Sequence, residues 1–410
     1  MTDDGTGRGA PGRVAAVHHQ ARRTLVQAAV FVVAAASAAV VPHGSDTWLP
    51  LHLFLVGGVL SAISGATQML AVTWSASPAP ARRTASVQRA LIGVGAGGVA
   101  FGHELEAPDW LVAAAGTLVS VGLVLLGVLL AQVRQRAVVP RFNAAIDGHL
   151  FAIGAGVTGT VLGALIAVGY TGDHLAEMRD AHITVNLLGL VGLVIAATVP
   201  YFAATVARTK VSTRATSVAV RSVVGALGAS VALAAGAEIA NWRWAAAIAL
   251  WVYAAGVVAI LVLLPPLGRR RFTWAGARLF QLLAGIGWWS LAVTLLGFEA
   301  LDGEVVSTRL VTVLVVGGYA QIVVASLAYL GPVLRGGGHE RLAAGFATTR
   351  SWPSLVLANA AAVAALCQWT QTLAVLVAVW GADIAWRAAT LIVGRGPRAA
   401  PAPVPHSPDG

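Results

Sequence analysis

The feature that most constrains this chain is its succession of long apolar runs, separated by short polar or charged loops. About twelve runs are long enough to cross roughly 30 Å of hydrocarbon as α-helices. They lie near residues 24–42, 48–74, 86–102, 109–132, 146–170, 181–206, 215–237, 243–264, 275–298, 308–334, 351–368 and 372–394. Backbone amides cannot stay unpaired in lipid, so the sequence predicts an all-α polytopic membrane protein.

Composition supports the same class of protein. Hydrophobic residues make up 57% of the chain, charged residues make up 11%, and the mean hydropathy is +0.78. A soluble domain has a charged fraction near one quarter, so that class is excluded. The single cysteine, Cys367, excludes an internal disulfide, a two-cysteine copper centre and a covalent c-type haem.

Basic and acidic loops alternate along the chain, which predicts its orientation. Basic residues recur in every second loop, within 22–23, 82–83, 134–141, 208–214, 269–271, 335–350 and 395–398. Such loops stay in the cytoplasm, so both termini are expected inside, and the net charge of +10 reflects this bias rather than nucleic-acid binding. Residues 1–23 and the Pro-rich 395–410 are expected to be disordered cytoplasmic tails that flank a single membrane domain at 24–394.

Three segments recur at intervals of about 130 residues and begin at Trp48, Asp180 and Ser307; His52 opens the first and His182 the second. Shorter matches pair Arg83, Ser86 and Val87 with Arg214, Ser217 and Val218, and Arg141, Phe142, Leu150 and Phe151 with Arg271, Phe272, Leu279 and Phe280. The pattern predicts three pseudo-repeats of four helices each, near 24–132, 142–264 and 272–394.

The two histidines are the main candidate site. On the expected topology, His52 and His182 both lie about one turn below the outer surface, and two neutral imidazoles that face one pocket can hold haem iron or copper. Asn186 lies one turn below His182 and is a candidate to support a ligand, while Arg309 in the third repeat suits a haem propionate. The alternative is that interfacial histidines cap helices or meet lipid headgroups.

Other polar residues are secondary candidates. His103 and His174, with His43, are expected on the outer side as an external copper or proton-linked site, or simply as solvated loop residues. His149 lies at the cytoplasmic end of the fifth helix. Within the twelfth helix, Asp383 and Arg387 are spaced i, i+4, which indicates either a structural ion pair or a proton relay.

The residues that carry a family resemblance are His52 with LFLVGGVLSAISGATQ, His182 with ITVNLLGLVGLVIAATVPYFAAT, and the Gly317–Gly318 segment. With twelve helices in three groups of four, they resemble haem–copper oxidase subunit I, especially its smaller NnrS-type relatives. They are also similar to the membrane part of actinobacterial copper nitrite reductase fusions. The resemblance implies haem, copper or both as cofactors, in a protein of the bacterial cytoplasmic membrane.

This chain departs from the oxidase pattern, because residues 211–264 and 309–331 contain no histidine. A complete oxygen-reducing centre is therefore not expected. The leading expectation is a haem- or copper-binding membrane protein in electron transfer or nitrogen-oxide handling, with a periplasmic copper protein or another redox partner. The alternatives are a membrane transporter, or a non-catalytic anchor or partner for a copper oxidase or nitrite reductase. Whether the protein is an enzyme stays open.

Overall fold

The computed structural model describes residues 10–39, 41, 47–304 and 306–394, which contain no β-strand. The principal helices of this part are here numbered α1 to α12. They are α1 (Ala10–Ala38), α2 (Trp48–Ser75), α3 (Arg82–Glu104), α4 (Asp109–Gln135), α5 (Asn143–Ala167), α6 (Gly172–Val206), α7 (Ser217–Ile239), α8 (Arg243–Leu263), α9 (Ala277–Asp302), α10 (Thr308–Arg335), α11 (Trp352–Leu366) and α12 (Thr370–Val393). Two short helices, Arg269–Ala275 and Gly338–Thr348, precede α9 and α11.

Each predicted apolar run coincides with one of these helices. Ten helices of the described part are long and apolar enough to cross a membrane, which indicates a multi-pass membrane protein. The two that fall short are α3, which is not apolar enough over 18 residues, and α11, which has only 15 residues. Helix α1 begins at Ala10, inside the stretch assigned to the N-terminal tail. Residues 1–9 and 395–410, and the loop histidine His43, lie outside the described residues.

The chain divides into two compact units. The first comprises the residues up to Leu267 together with Trp289–Val311. The second comprises Gly268–Trp288 and the residues from Thr312 onward. The next two boundaries, after Trp288 and after Val311, fall within α9 and α10. Each of these helices therefore contributes to both units.

In the first unit, α6 is the enclosed helix. Its most apolar stretch is 94% buried, against 22% for α1, because α5 and α7 pack along it and its Val, Leu and Ala residues are apolar on every side. A helix that is apolar all round and buried by protein holds its few polar side chains against neighbouring helices rather than against lipid. Helix α6 therefore positions the candidate site.

In the second unit, α11 packs against α10 and α12. Small residues permit the close approach: a Cβ at Gly317 would lie 2.8 Å from the Ala362 side chain and 3.0 Å from that of Trp288. Packing through small residues is the usual way in which membrane helices associate, since lipid supplies no hydrophobic drive.

Three helices contain π-helical segments, which the sequence did not predict. The segments are Leu53–Val59 in α2, Val185–Gly192 in α6 and Val313–Ala320 in α10. Successive segments start 132 and 128 residues apart. Such π-bulges are rare and occur frequently at functional sites. All three lie within the segments that recur in the sequence.

Candidate functional site

His182 lies on α6 against two glycines of α5. A Cβ at Gly163 would lie 2.8 Å from His182 Cε1, and a Cβ at Gly159 would overlap the side chain of Asn186. The spacing of the glycines, i and i+4, matches that of His182 and Asn186, so each side chain occupies the place of a missing Cβ. The histidine and the asparagine are therefore held in the contact between α5 and α6.

Hydrogen bonds fix the tautomer of His182. Its Nδ1 lies 2.8 Å from the carbonyl oxygen of Gly159 and 3.3 Å from Asn186 Nδ2. A carbonyl oxygen only accepts, so the shorter contact requires that Nδ1 carries the proton and donates. Asn186 Nδ2 donates instead to the carbonyl oxygen of His182, at 2.8 Å. In the neutral imidazole, Nε2 then keeps a lone pair that can bind a metal.

His52 has the same arrangement on α2. Its Nδ1 lies 2.9 Å from the carbonyl oxygen of Trp48, so Nδ1–H donates and Nε2 keeps the lone pair. The Trp48 indole stacks on the His52 ring at a centroid distance of 3.8 Å, and it also contacts His103 of α3 at 3.9 Å. The indole thus fixes the orientation of the His52 ring and brings an exposed third imidazole beside it.

His52 and His103 are near one another, since both rings contact the Trp48 indole. His182 lies on another helix, within the range at which its charge would act on His52. The described residues contain no group of three or more His, Cys, Asp or Glu side chains arranged to hold a metal ion. The arrangement therefore presents two imidazoles that are each oriented by a backbone carbonyl oxygen, with His103 beside the first of them.

Two other candidate histidines of the first unit, His149 and His174, have separate surroundings. His149 is fully buried on α5, and its Nε2 lies 2.9 Å from Thr198 Oγ1 on α6. No partner for its Nδ1 is found among the described residues. His174 is exposed in the 3-10 turn that begins α6.

Arg309 is already paired. Its guanidinium donates to Glu299 Oε1 at 3.1 Å, and Ser307 Oγ donates to the same oxygen at 2.7 Å. Glu299 is only 7% exposed, so this charge-assisted bond neutralises a carboxylate that is otherwise expensive to bury. An anionic ligand such as a propionate would have to compete with Glu299 for Arg309.

Two more carboxyl groups of the same unit are withdrawn from the surface: Asp180 is buried and Glu238 is half-buried. Asp180, which is 8% exposed, accepts from the backbone N–H of Val306 at 3.1 Å through Oδ2. Glu238 of α7 accepts from Thr184 Oγ1 at 2.8 Å through Oε1. The second oxygen of each group is buried and has no hydrogen-bond partner among the described residues. Asp180 and Thr184 precede and follow His182 by two residues, so α6 carries imidazole on one face and carboxyl contacts on another.

In the second unit, Asp383 and Arg387 form an ion pair. Arg387 Nε donates to Asp383 Oδ1 at 2.9 Å, and Ser351 Oγ donates to Asp383 Oδ2 at 2.7 Å. Arg387 Nη1 also donates to the Thr348 carbonyl oxygen at 2.8 Å. Ser351 caps α11 by accepting from Ser354 N, so the pair ties α12 to the beginning of α11.

Sequence reasoning missed the buried carboxyl groups and the role of the glycines. Glu238 and Glu299 each lie near the end of an apolar run, where the alternation of basic and acidic loops predicts an exposed outer loop. Their apolar flanks, in AAGAEIANW and LLGFEALD, were the available signal. The Gly159-x-x-x-Gly163 spacing was also visible, but only the structure gives the residues that lie against it.

Searches against protein-family models and against curated proteins find no match to this chain.

Proposed function

We propose that this chain is a multi-pass membrane protein that binds copper or haem iron through His52 and His182. The observation that carries the proposal is the common tautomer: in each residue Nδ1 is committed to a backbone carbonyl oxygen, which leaves Nε2 to bind a metal. Metal-binding histidines in proteins are oriented in this way by a bond from the other ring nitrogen.

The donor set suits both groups, since imidazole binds copper and haem iron. Copper is the better supported, because Arg309, the candidate partner for a haem propionate, is engaged by Glu299. When bound, either group supplies one-electron redox chemistry. The chain's own contribution is to orient the two rings through Trp48 and Gly159, and to place them against helices rather than in water.

We further propose the finer architecture: twelve spans in three pseudo-repeats, with both termini in the cytoplasm of a bacterial cell. The π-helical segments support the repeats, because their starts are 132 and 128 residues apart and all three follow the first turns of corresponding helices. On this topology His52 and His182 lie near the periplasmic surface. A periplasmic copper protein or another redox protein then suits the role of partner, in electron transfer or nitrogen-oxide handling of the NnrS type.

The test is metal analysis and an absorption spectrum of protein purified from cells supplied with copper and haem. We expect about one equivalent of one group, lost in His52→Ala and in His182→Ala, whereas His174→Ala, an exposed matched control, retains it. Unaltered protein that contains neither group overturns the proposal. A group retained in the double variant overturns the assignment to these two residues.

Transport is a second candidate, favoured by one observation. Asp180 and Glu299 are more than nine-tenths buried, and a second oxygen of Asp180 and of Glu238 has no partner in the described part. Buried carboxyl groups in membrane helices often belong to ion or proton paths. Purified protein in liposomes that hold a pH-sensitive dye tests this. Proton uptake that Glu238→Gln abolishes supports transport, and no uptake above that of empty liposomes counts against it.

A further inference from the structure

A group of basic residues lies near His19, at the end of the first unit that the sequence places in the cytoplasm. We call it the arginine patch; it consists of Arg22, Arg23, Arg82 and Arg89, whose positive charges all act on His19. Arg82 Nη2 lies 3.4 Å from His19 Nε2, and since a guanidinium only donates, the imidazole nitrogen accepts. The four ion pairs between described residues lie elsewhere, so Arg23, Arg82 and Arg89 face no carboxylate of the described part.

A small cavity opens beside the patch, between α1, α2 and α3. Gln20, Gln68 and Arg89 are among its lining residues, and its volume of about 10 Å³ is room for one water molecule or one hydroxyl group. Arg89 therefore belongs to both the patch and the cavity. The two features form one continuous site.

Two carbonyl oxygens in the cavity need a donor. Gln20 and Gln68 are 8% and 5% exposed, and the Oε1 atom of each is buried without a partner among the described residues. Turning the amides over would not help, because both Nε2 atoms are committed: Gln20 donates to the Pro80 carbonyl oxygen at 3.1 Å, and Gln68 to that of Ser64 at 3.1 Å. Unsatisfied buried acceptors are costly, so these two call for a ligand that donates hydrogen bonds.

Apolar residues continue from the patch along the two helices that carry it. Val26, Val30 and Val33 are exposed along α1, and Val87 and Val94 are exposed along α3. Their spacings of three, four and seven residues put each set on one helix face. A ligand seated in the patch thus has cationic groups at one end and apolar surface beyond it, the arrangement that a lipid requires.

We propose that this site binds an anionic phosphoglycerol lipid of the inner leaflet. The phosphate lies among the arginines, whose planar forks match phosphate oxygens. One glycerol hydroxyl enters the cavity and donates to Oε1 of Gln68, the more buried of the two acceptors, and the acyl chains lie along the exposed valines. The partner class follows from the combination of cation, hydrogen-bond acceptor and apolar surface, which a free phosphate ion would not use.

The experiment measures lipid binding to purified, delipidated protein in neutral detergent, by native mass spectrometry and thermal unfolding. The probes are phosphatidylglycerol, phosphatidic acid, phosphatidylcholine and inorganic phosphate. We expect phosphatidylglycerol to bind most tightly and to raise the unfolding temperature. Arg23→Gln with Arg89→Gln should weaken this binding about 30-fold, from the usual contribution of about 1 kcal/mol for each basic residue near a membrane surface. Arg270→Gln, an exposed arginine of another basic loop, is the matched control and should not change it.

Gln68→Leu tests the cavity separately. It removes the acceptor and should reduce phosphatidylglycerol binding to the level of phosphatidic acid, which has no headgroup glycerol. Equal binding of phosphatidylcholine overturns the proposal, as does full displacement by millimolar inorganic phosphate, which would make this a phosphate-ion site. If the arginine variant does not fold, Gln68→Leu decides alone: an unchanged preference for phosphatidylglycerol over phosphatidic acid overturns the assignment.

Discussion

At the scale of single residues, the imidazole of His182 depends on the absence of a side chain at Gly163. We predict that Gly163→Ala displaces the ring, because the added Cβ would lie 2.8 Å from Cε1 and 3.2 Å from Nδ1, and so breaks the bond to Gly159. Metal content should fall at least tenfold, and the free energy of unfolding by about 1–3 kcal/mol, the usual effect of overpacking. Metal analysis and denaturant unfolding in micelles measure both.

Gly154→Ala is the matched control for that variant. Gly154 lies on the same helix, and no atom lies within 4 Å of an added Cβ. It should leave both quantities nearly unchanged or raise stability slightly, since alanine favours helix. Full metal content in Gly163→Ala would contradict the role given to His182.

Residue type and matching positions at the start of two recurring apolar segments identify His52 and His182 as candidates. The partners of these residues could not be predicted. Whether Nδ1 or Nε2 is free depends on a carbonyl oxygen of another helix for His182, and no pattern in α6 encodes that contact. The same limit explains Glu238: its position near a helix end indicates exposure, whereas the contact with Thr184 leaves the side chain half-buried.

At the scale of the helix, the apolar runs predicted the helices, but not where the winding changes. A π-segment adds a residue to a turn without altering the run of apolar letters, so hydropathy cannot reveal it. Its consequence is a displaced carbonyl oxygen. In α6, the carbonyl oxygen of Leu188 accepts from Tyr253 Oη of α8 at 2.8 Å.

We predict that Tyr253→Phe destabilises the protein by about 1–2 kcal/mol, because it leaves that buried carbonyl oxygen without its phenolic donor. Tyr170→Phe is the control, since the Tyr170 side chain is exposed. Unfolding of both variants in mixed micelles gives the comparison. Equal stability of the two would mean that the bond to Leu188 contributes nothing.

Helix α12 depends on its ion pair in the same way. The side chains of Asp383 and Arg387 are 16% and 27% exposed, so Asp383→Ala leaves a largely buried guanidinium without its counter-ion. We predict a loss of up to about 3 kcal/mol in the single variant, and recovery of most of it in Asp383→Leu with Arg387→Leu, because apolar pairs replace buried ion pairs well. Unfolding measurements decide, and a double variant as unstable as the single one contradicts a purely structural role.

At the scale of the whole molecule, α3 and α11 determine the orientation. If α3 and α11 did not cross the membrane, every loop between α4 and α10 would lie on the opposite side of it. The basic loops at 208–214 and 269–271 would then be in the periplasm. That arrangement opposes the positive-inside bias. Helix α3 has 23 residues and is about 34 Å long, enough to cross the hydrocarbon layer, and its charges lie mainly in its first and last turns.

We therefore predict that both α3 and α11 cross the membrane. Reporter fusions in the loops at 105–108, 208–214 and 303–304 test this, because the two topologies give opposite results at each. Twelve spans place the first and third in the periplasm and the second in the cytoplasm; ten spans reverse all three.

Helix α11 is about 22 Å long, shorter than the layer, and a short span is accommodated by local thinning at modest cost. If α3 crosses and α11 does not, these three loops keep their twelve-span sides, but a reporter after Val393 moves to the periplasm, so that fourth fusion tests α11 alone.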